Sequence, residues 1–236
     1  MKRTSIAVER GRVSFPEYKG ERFHMIPFRK ADGLPDGMNR WQATVDAMMD
    51  GIDTDRECYL MIDQSPIKAG ASHRRGGVHI EGYWHPDLRC HGGGGGGRHS
   101  GGPPGFDWGD LLERLRRERE RERQAPPPDR QPVRVEPSPP PKQLPPADWT
   151  NCDFALPEGT LLAADVSACR CYIGEWDGPI GSGGDCSAVS LSGLDSLDCE
   201  SHRCYAGNVT MLHESLPVRF DGVRSLVRIT VPGWTP

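Results

Sequence analysis

The sequence contains no apolar run near the roughly 20 residues that a helix needs to cross a bilayer. A helical membrane span is therefore excluded. Met1 to Arg10 carry charge but no apolar core of the kind a secretory signal needs, so a cytoplasmic, intracellular protein is expected. Hydrophobic residues make up 36% and aromatic residues 7% of the 236-residue chain, against about 45 to 50% apolar residues in ordinary globular domains. The foldable mass is thus smaller than the length implies. Basic residues are not in excess either: 29 Lys plus Arg against 33 Asp plus Glu leave a formal charge of −4. That excludes the overall basic field that drives non-specific nucleic-acid binding. No nucleic-acid motif stands out, and the linear sequence fixes neither a substrate nor an oligomeric state.

Paired Cys-x-x-Cys spacing is also missing. Eight cysteines are present, at 58, 90, 152, 169, 171, 186, 199 and 204, and a reducing compartment argues against a disulfide framework. Cys169-Arg170-Cys171 and the Cys199 to Cys204 stretch lack the spacing of a zinc ribbon. Buried free thiols are the expected state.

What the chain has in abundance is glycine and proline, 29 and 22 respectively, with their densest runs in its middle. Cys90-His91 leads into six glycines, 92 to 97. A helix opening at Asp107-Trp108 follows, with alternating Glu and Arg as far as Arg123 and only Leu111, Leu112 and Leu115 as a packing face. A proline-dominated, extended run then occupies Ala125 to Pro146. Residues 90–148 read as one low-complexity insertion, largely disordered, between the two parts of a single domain, 1–89 and 149–236. His85, His91 and His99 are not expected to act as ligands, because glycine-rich flanks do not hold side chains rigidly.

Short strand patterns surround the insertion. Arg12 to Phe15 and Phe23 to Phe28 read as edge strands. A helix capped by Asp36 or Asn39 should run to about Asp50 and end at Gly51, with Met38, Trp41, Val45, Met48 and Met49 packing on the outside of a sheet. Cys58 to Asp63 is a buried strand bounded by Gln64-Ser65-Pro66, and Gly159 to Val166 and Ala168 to Gly174 are consecutive strands. A glycine-rich loop covers Gly178 to Asp185, a Gly-Asn turn precedes the strand of His213, and a terminal strand spans Val223 to Val231. The loop from Lys68 to Gly77 holds Lys68, His73, Arg74 and Arg75, placed either to meet an anion or to lie as a solvated turn.

In the stretch Gly77-Val78-His79-Ile80-Glu81-Gly82-Tyr83-Trp84, alternation along a strand puts His79 and Glu81 on one face. A histidine from another strand, His213, would complete two nitrogens and one carboxylate oxygen around a ferrous ion with open positions. This His79-Ile80-Glu81, distal His213 and following Arg224 resembles the pattern of the iron(II) and 2-oxoglutarate-dependent oxygenases, with Glu where Asp is commoner. The resemblance covers roughly residues 55–90 and 155–233. It implies a mainly β, double-stranded β-helix (jelly-roll, cupin-like) fold with an N-terminal helix. It implies Fe(II) on His79, Glu81 and His213, with 2-oxoglutarate as co-substrate. Arg224 forks its distal carboxylate, and Arg228, on the same strand face, is the rival anchor. The implied reaction is decarboxylation of 2-oxoglutarate to succinate and carbon dioxide, coupled to hydroxylation of an unidentified substrate. Two alternatives stand beside it: a non-enzymatic jelly-roll binding or assembly protein, and a cupin-type metalloenzyme that does not use 2-oxoglutarate.

Overall fold

The computed structural model describes residues 2–81, 154 and 156–236. The proposed insertion, with its Glu/Arg helix, proline run, His91 and His99, lies outside them, as do Tyr83, Trp84 and His85. Within the described residues the protein is mainly β, with antiparallel sheets and one short α-helix.

Ten strands are divided between two sheets. They are β1 (Arg3–Ser5), β2 (Ala7–Arg12), β3 (Arg22–Arg29), β4 (Glu57–Ile67), β5 (Glu158–Ala164), β6 (Cys169–Trp176), β7 (Asp195–Asp198), β8 (Arg203–Asn208), β9 (Leu212–Ser215) and β10 (Gly222–Pro232). The larger sheet runs β2-β8-β5-β10-β4-β3. In the smaller one, β6 carries β7 along one edge and β9 followed by β1 along the other. Residues 78–80 extend this sheet past β9, with His79 N donating to His213 O at 2.9 Å and His213 N to His79 O at 3.0 Å. On the far side of the segment, Ile80 N bonds Gly184 O and Cys186 N bonds Val78 O.

Period-2 patterning explains which faces are buried. Along β10, Val227, Ile229 and Val231 point outward into an apolar layer completed by Leu60, Ile62 and Leu161. Against that layer lies the helix α1 (Gln42–Met48) with the 3-10 turn Asn39–Trp41 before it, burying Trp41, Val45, Met48 and Met49. The helix thus sits where its apolar stripe predicts, but it is shorter and has no side-chain cap hydrogen bond from the residue preceding either segment. Trp41 is held instead by its ring N–H, which donates to Glu21 Oε2 at 2.7 Å. The opposite residues of β10, Arg224, Arg228 and Thr230, are buried on the other face. A second cluster, Ala7, Leu162, Tyr205, Cys171, Cys199 and Met211, fills part of the space between the sheets.

Three local expectations need correction. β4 does not stop at Asp63 but runs to Ile67, because β10 pairs with it as far as Gly222 opposite Ile67. Pro66 is accommodated there because β3 has ended by Asp63, leaving one edge of β4 without a strand partner. The Gly207-Asn208 pair expected as a turn before the strand of His213 lies instead at the end of β8, which belongs to the larger sheet while β9 belongs to the smaller, so the chain changes sheets over Val209 to Met211. The charged strand β7, Asp195-Ser196-Leu197-Asp198, has no apolar alternation and was not expected at all.

Candidate metal centre

His79 and His213 are brought together by the backbone bridge between their strands, since directly opposed residues on an antiparallel pair point to the same face. Their rings lie 4.4 Å apart between centroids. Both are buried, at 6% and 4% exposure. Glu81, two residues past His79, shares that face. Its Oε1 lies 3.3 Å from His213 Nε2, and one donor atom from each of the three residues falls within 4.8 Å of the others. This set could hold a metal ion.

The backbone fixes the tautomers. His79 Nδ1 donates to Gly77 O at 2.7 Å and His213 Nδ1 to Met211 O at 3.2 Å. With both δ nitrogens carrying their protons, each ring leaves the lone pair on Nε2 available, the second-shell arrangement typical of histidine ligands. Burial, and then the neighbouring His213, pull His79 down to about 3. Burial lowers His213 as well. Both rings are therefore neutral at neutral pH, the state that binds a cation.

Glu81 is also held from the other sheet. Its Oε2 accepts from Arg228 Nη1, and Arg228 Nη2 faces Met25 Sδ at 3.1 Å. Burial and the charges of Arg74 and Arg75 bring Arg228 down to about 9, so it still carries its charge at neutral pH. The two oxygens of Glu81 thus have separate tasks: one meets the histidines, the other an arginine.

Arg224 sits two strand repeats away, 1% exposed, with Nε donating to Val166 O at 3.1 Å and Nη1 3.4 Å from His73 Nδ1. Burial lowers its pKa, while Cys169, Asp165, Cys199 and Asp63 work in the opposite direction. Arginine can only donate, so His73 Nδ1 is the acceptor, and His73 Nε2 lies 3.7 Å from Asp63 Oδ1. Arg74 completes this chain with a 2.8 Å bond to Asp63 Oδ2. Burial pushes the Asp63 carboxyl up, but His73, Ser65, Arg74 and Arg22 together hold it well below the usual carboxylate range. The basic loop is therefore not a solvated turn in its middle: His73 and Arg74 are spent on Asp63, and Arg75 bonds Gly183 O at 2.6 Å.

In comparison with known proteins, no family model, curated protein or solved structure matches this chain. The functional reading rests on the geometry.

Sequence reasoning found the three donors and both arginines of β10. It missed Asp63, whose side chain turns inward from a strand that reads as uniformly apolar, and it set aside the cysteines at 169, 171 and 199 for want of Cys-x-x-Cys spacing. Cys169 and Cys171 share a face of β6, and Cys199, just past β7, joins them with all three sulfurs within 4.8 Å. The pairing of β6 with β7, Arg170 opposite Asp198, brings Cys199 beside Cys169.

Proposed function

We propose that this protein is a mononuclear non-haem iron(II) oxygenase of the 2-oxoglutarate-dependent kind, with His79, Glu81 and His213 as the protein ligands. One observation carries the reading: one donor atom from each of His79, Glu81 and His213 lies within 4.8 Å of the others, with His213 Nε2 3.3 Å from Glu81 Oε1, while Nδ1 of each ring and Oε2 of the carboxylate are already committed to second partners. Two imidazoles and one carboxylate suit ferrous iron and leave positions open. When bound, such an ion supplies redox chemistry with dioxygen.

The strand order supports a double-stranded β-helix. Successive strands from β4 onward switch sheets, apart from the β6-β7 pair, giving β4-β10-β5-β8 in one and 78–80, β9, β6, β7 in the other. This interleaving fits a jelly-roll with its donors on the inward face. The chain's own residues divide the labour. Arg228 orients Glu81, whereas Arg224, two repeats along β10 and bonded to a backbone carbonyl and a histidine nitrogen in the contacts above, is the better anchor for a co-substrate carboxylate.

A cupin-type metalloenzyme without 2-oxoglutarate is favoured by one observation. The cavity beside Arg224 has a volume of about 20 Å³, room for a water but not for a five-carbon diacid. Anaerobic calorimetry of the full chain with iron(II), with and without 2-oxoglutarate, separates the two. One equivalent of iron, followed by 2-oxoglutarate binding only to the iron-loaded protein, supports the oxygenase. Iron binding alone selects the cupin-type enzyme, and no iron binding overturns both.

A further inference from the structure

Among the described residues, the densest collection of metal-ligating atoms outside the His79, Glu81, His213 set is the three-thiol cluster Cys169, Cys171 and Cys199. It lies between the sheets, in the cluster that includes Leu162, Tyr205 and Met211. Its construction is strict. Cys169 and Cys171 project from one face of β6 by alternation, Cys199 N donates to Cys169 O at 2.9 Å, and Ser167 Oγ holds Cys199 O at 2.7 Å. Cys171 and Cys199 place their sulfurs 3.6 Å apart.

A single buried thiol behaves as a small apolar side chain. Three that meet at one point have a different prospect. A metal–sulfur bond near 2.3 Å puts the sulfurs of a trigonal or tetrahedral site about 3.8 to 4.0 Å apart. The observed spacing, 3.6 Å for one pair and at most 4.8 Å for all donors, brackets that value. No disulfide competes for them, since all three cysteines are free. Three thiolates also need compensation for their charge, and Arg224 supplies it: it lines the same small cavity as Cys169 and Cys199. That cavity would admit one water, a fourth ligand for an ion that requires four.

We infer that Cys169, Cys171 and Cys199 form a second metal site, built for a thiophilic d10 cation, zinc(II) or copper(I), and separate from the His79, Glu81, His213 set. No residue is shared between the two. Soft thiolate donors select these ions over ferrous iron. Binding deprotonates the thiols and releases their protons to solvent while the sulfurs take up the ion, with no change of oxidation state. The inference does not depend on the oxygenase reading.

Cobalt(II) is the probe, because only thiolate ligation gives an intense sulfur-to-cobalt charge-transfer band in the near ultraviolet. The full-length protein, kept reduced and free of oxygen, should develop that band with the first equivalent of cobalt. Zinc(II) or copper(I) should bleach it, and whichever competes more strongly names the resident ion. His79→Ala should keep the band, whereas Cys171→Ser and Cys199→Ser should each reduce it several-fold. Cooperative melting of each variant is checked first, and Cys169→Ser, at a less buried position, is the substitute if the other two do not fold. The wild-type titration decides on its own if none folds. Cobalt bound without the band, a band that survives in the serine variants, or a metal-free protein isolated with a Cys171–Cys199 disulfide would each overturn the inference.

Discussion

Arg228 donates through Nη1 to Oε2 of Glu81, joining the larger sheet to the residue that extends the smaller one. The pair links a buried guanidinium to a carboxylate whose side chain is 24% exposed. Arg228→Met and Glu81→Gln, made singly and together, should therefore show a coupling of about 1 to 3 kcal/mol in urea unfolding of the metal-free protein. Strict additivity in the cycle would mean that the pair contributes nothing.

The ligand set predicts a graded response to substitution. His79→Ala or His213→Ala should abolish ferrous binding while melting stays cooperative, because each removes one of three donors. Glu81→Ala should weaken it without the same loss of nitrogen ligation. Anaerobic calorimetry measures all three, and equal iron affinity in wild type and a double histidine variant would end the assignment.

The co-substrate role is tested at Arg224. Replacing it with Ala should remove a charge-assisted pair of about 1.5 to 3 kcal/mol, weakening 2-oxoglutarate about ten- to a hundredfold with iron binding nearly unchanged. Lys should rescue only in part, since an ammonium lacks the planar fork. Arg228→Ala is the comparison, and a larger loss there moves the anchor to that position.

Acid should destabilise the metal-free protein before any carboxylate titrates. The folded His79 lies at about 3 against the ordinary 6.5, so between about 6.5 and 3 the unfolded chain binds more protons there than the native one, and stability falls as pH drops through that window by ~1.4 kcal/mol per unit from this histidine. His213, also lowered by burial, acts in the same direction below 6.5. The depressed Asp63 adds a further loss below its ordinary 3.8. Urea midpoints at several pH values should show this slope, and His79→Gln should make it shallower above pH 4. An unchanged slope would place the protons elsewhere.

Gly184 offers a test of positioning at a distance from the donors. Its φ is +80°, and a Cβ there would lie 2.4 Å from Ile80 O. Gly184→Ala should push the 78–80 segment away and lower iron affinity more than it lowers the melting temperature. The reverse order of effects would assign Gly184 to general stability alone.

The sequence made some of this legible and concealed the rest for physical reasons. His79 and Glu81 could be paired by alternation because strand periodicity is local. The helix face of Trp41, Val45 and Met48 was readable for the same reason, through the 3.6-residue period. Asp63 was hidden because its partners, His73 and Arg74, reach it by a fold-back of the loop, which no period encodes. The meeting of Cys199 with Cys169 and Cys171 was hidden because the strand that delivers it, β7, carries a single apolar residue, Leu197, and is held by backbone pairing and the Arg170–Asp198 ion pair. The split of β8 from β9 is a choice of sheet, and the Gly207-Asn208 pair reads as a turn although it lies within β8.

The reciprocal amide bonds between His79 and His213 have a kinetic consequence. Each of these two backbone N–H groups is closed by the carbonyl of the other residue, so neither amide can exchange with deuterium unless the two strands part. The same parting carries one imidazole away from its mate. Both nitrogen donors would then be lost in one opening event, and because the strands can part and reclose without exchange, the exchange rate of these two amides sets a lower limit on how often the centre comes apart by that route.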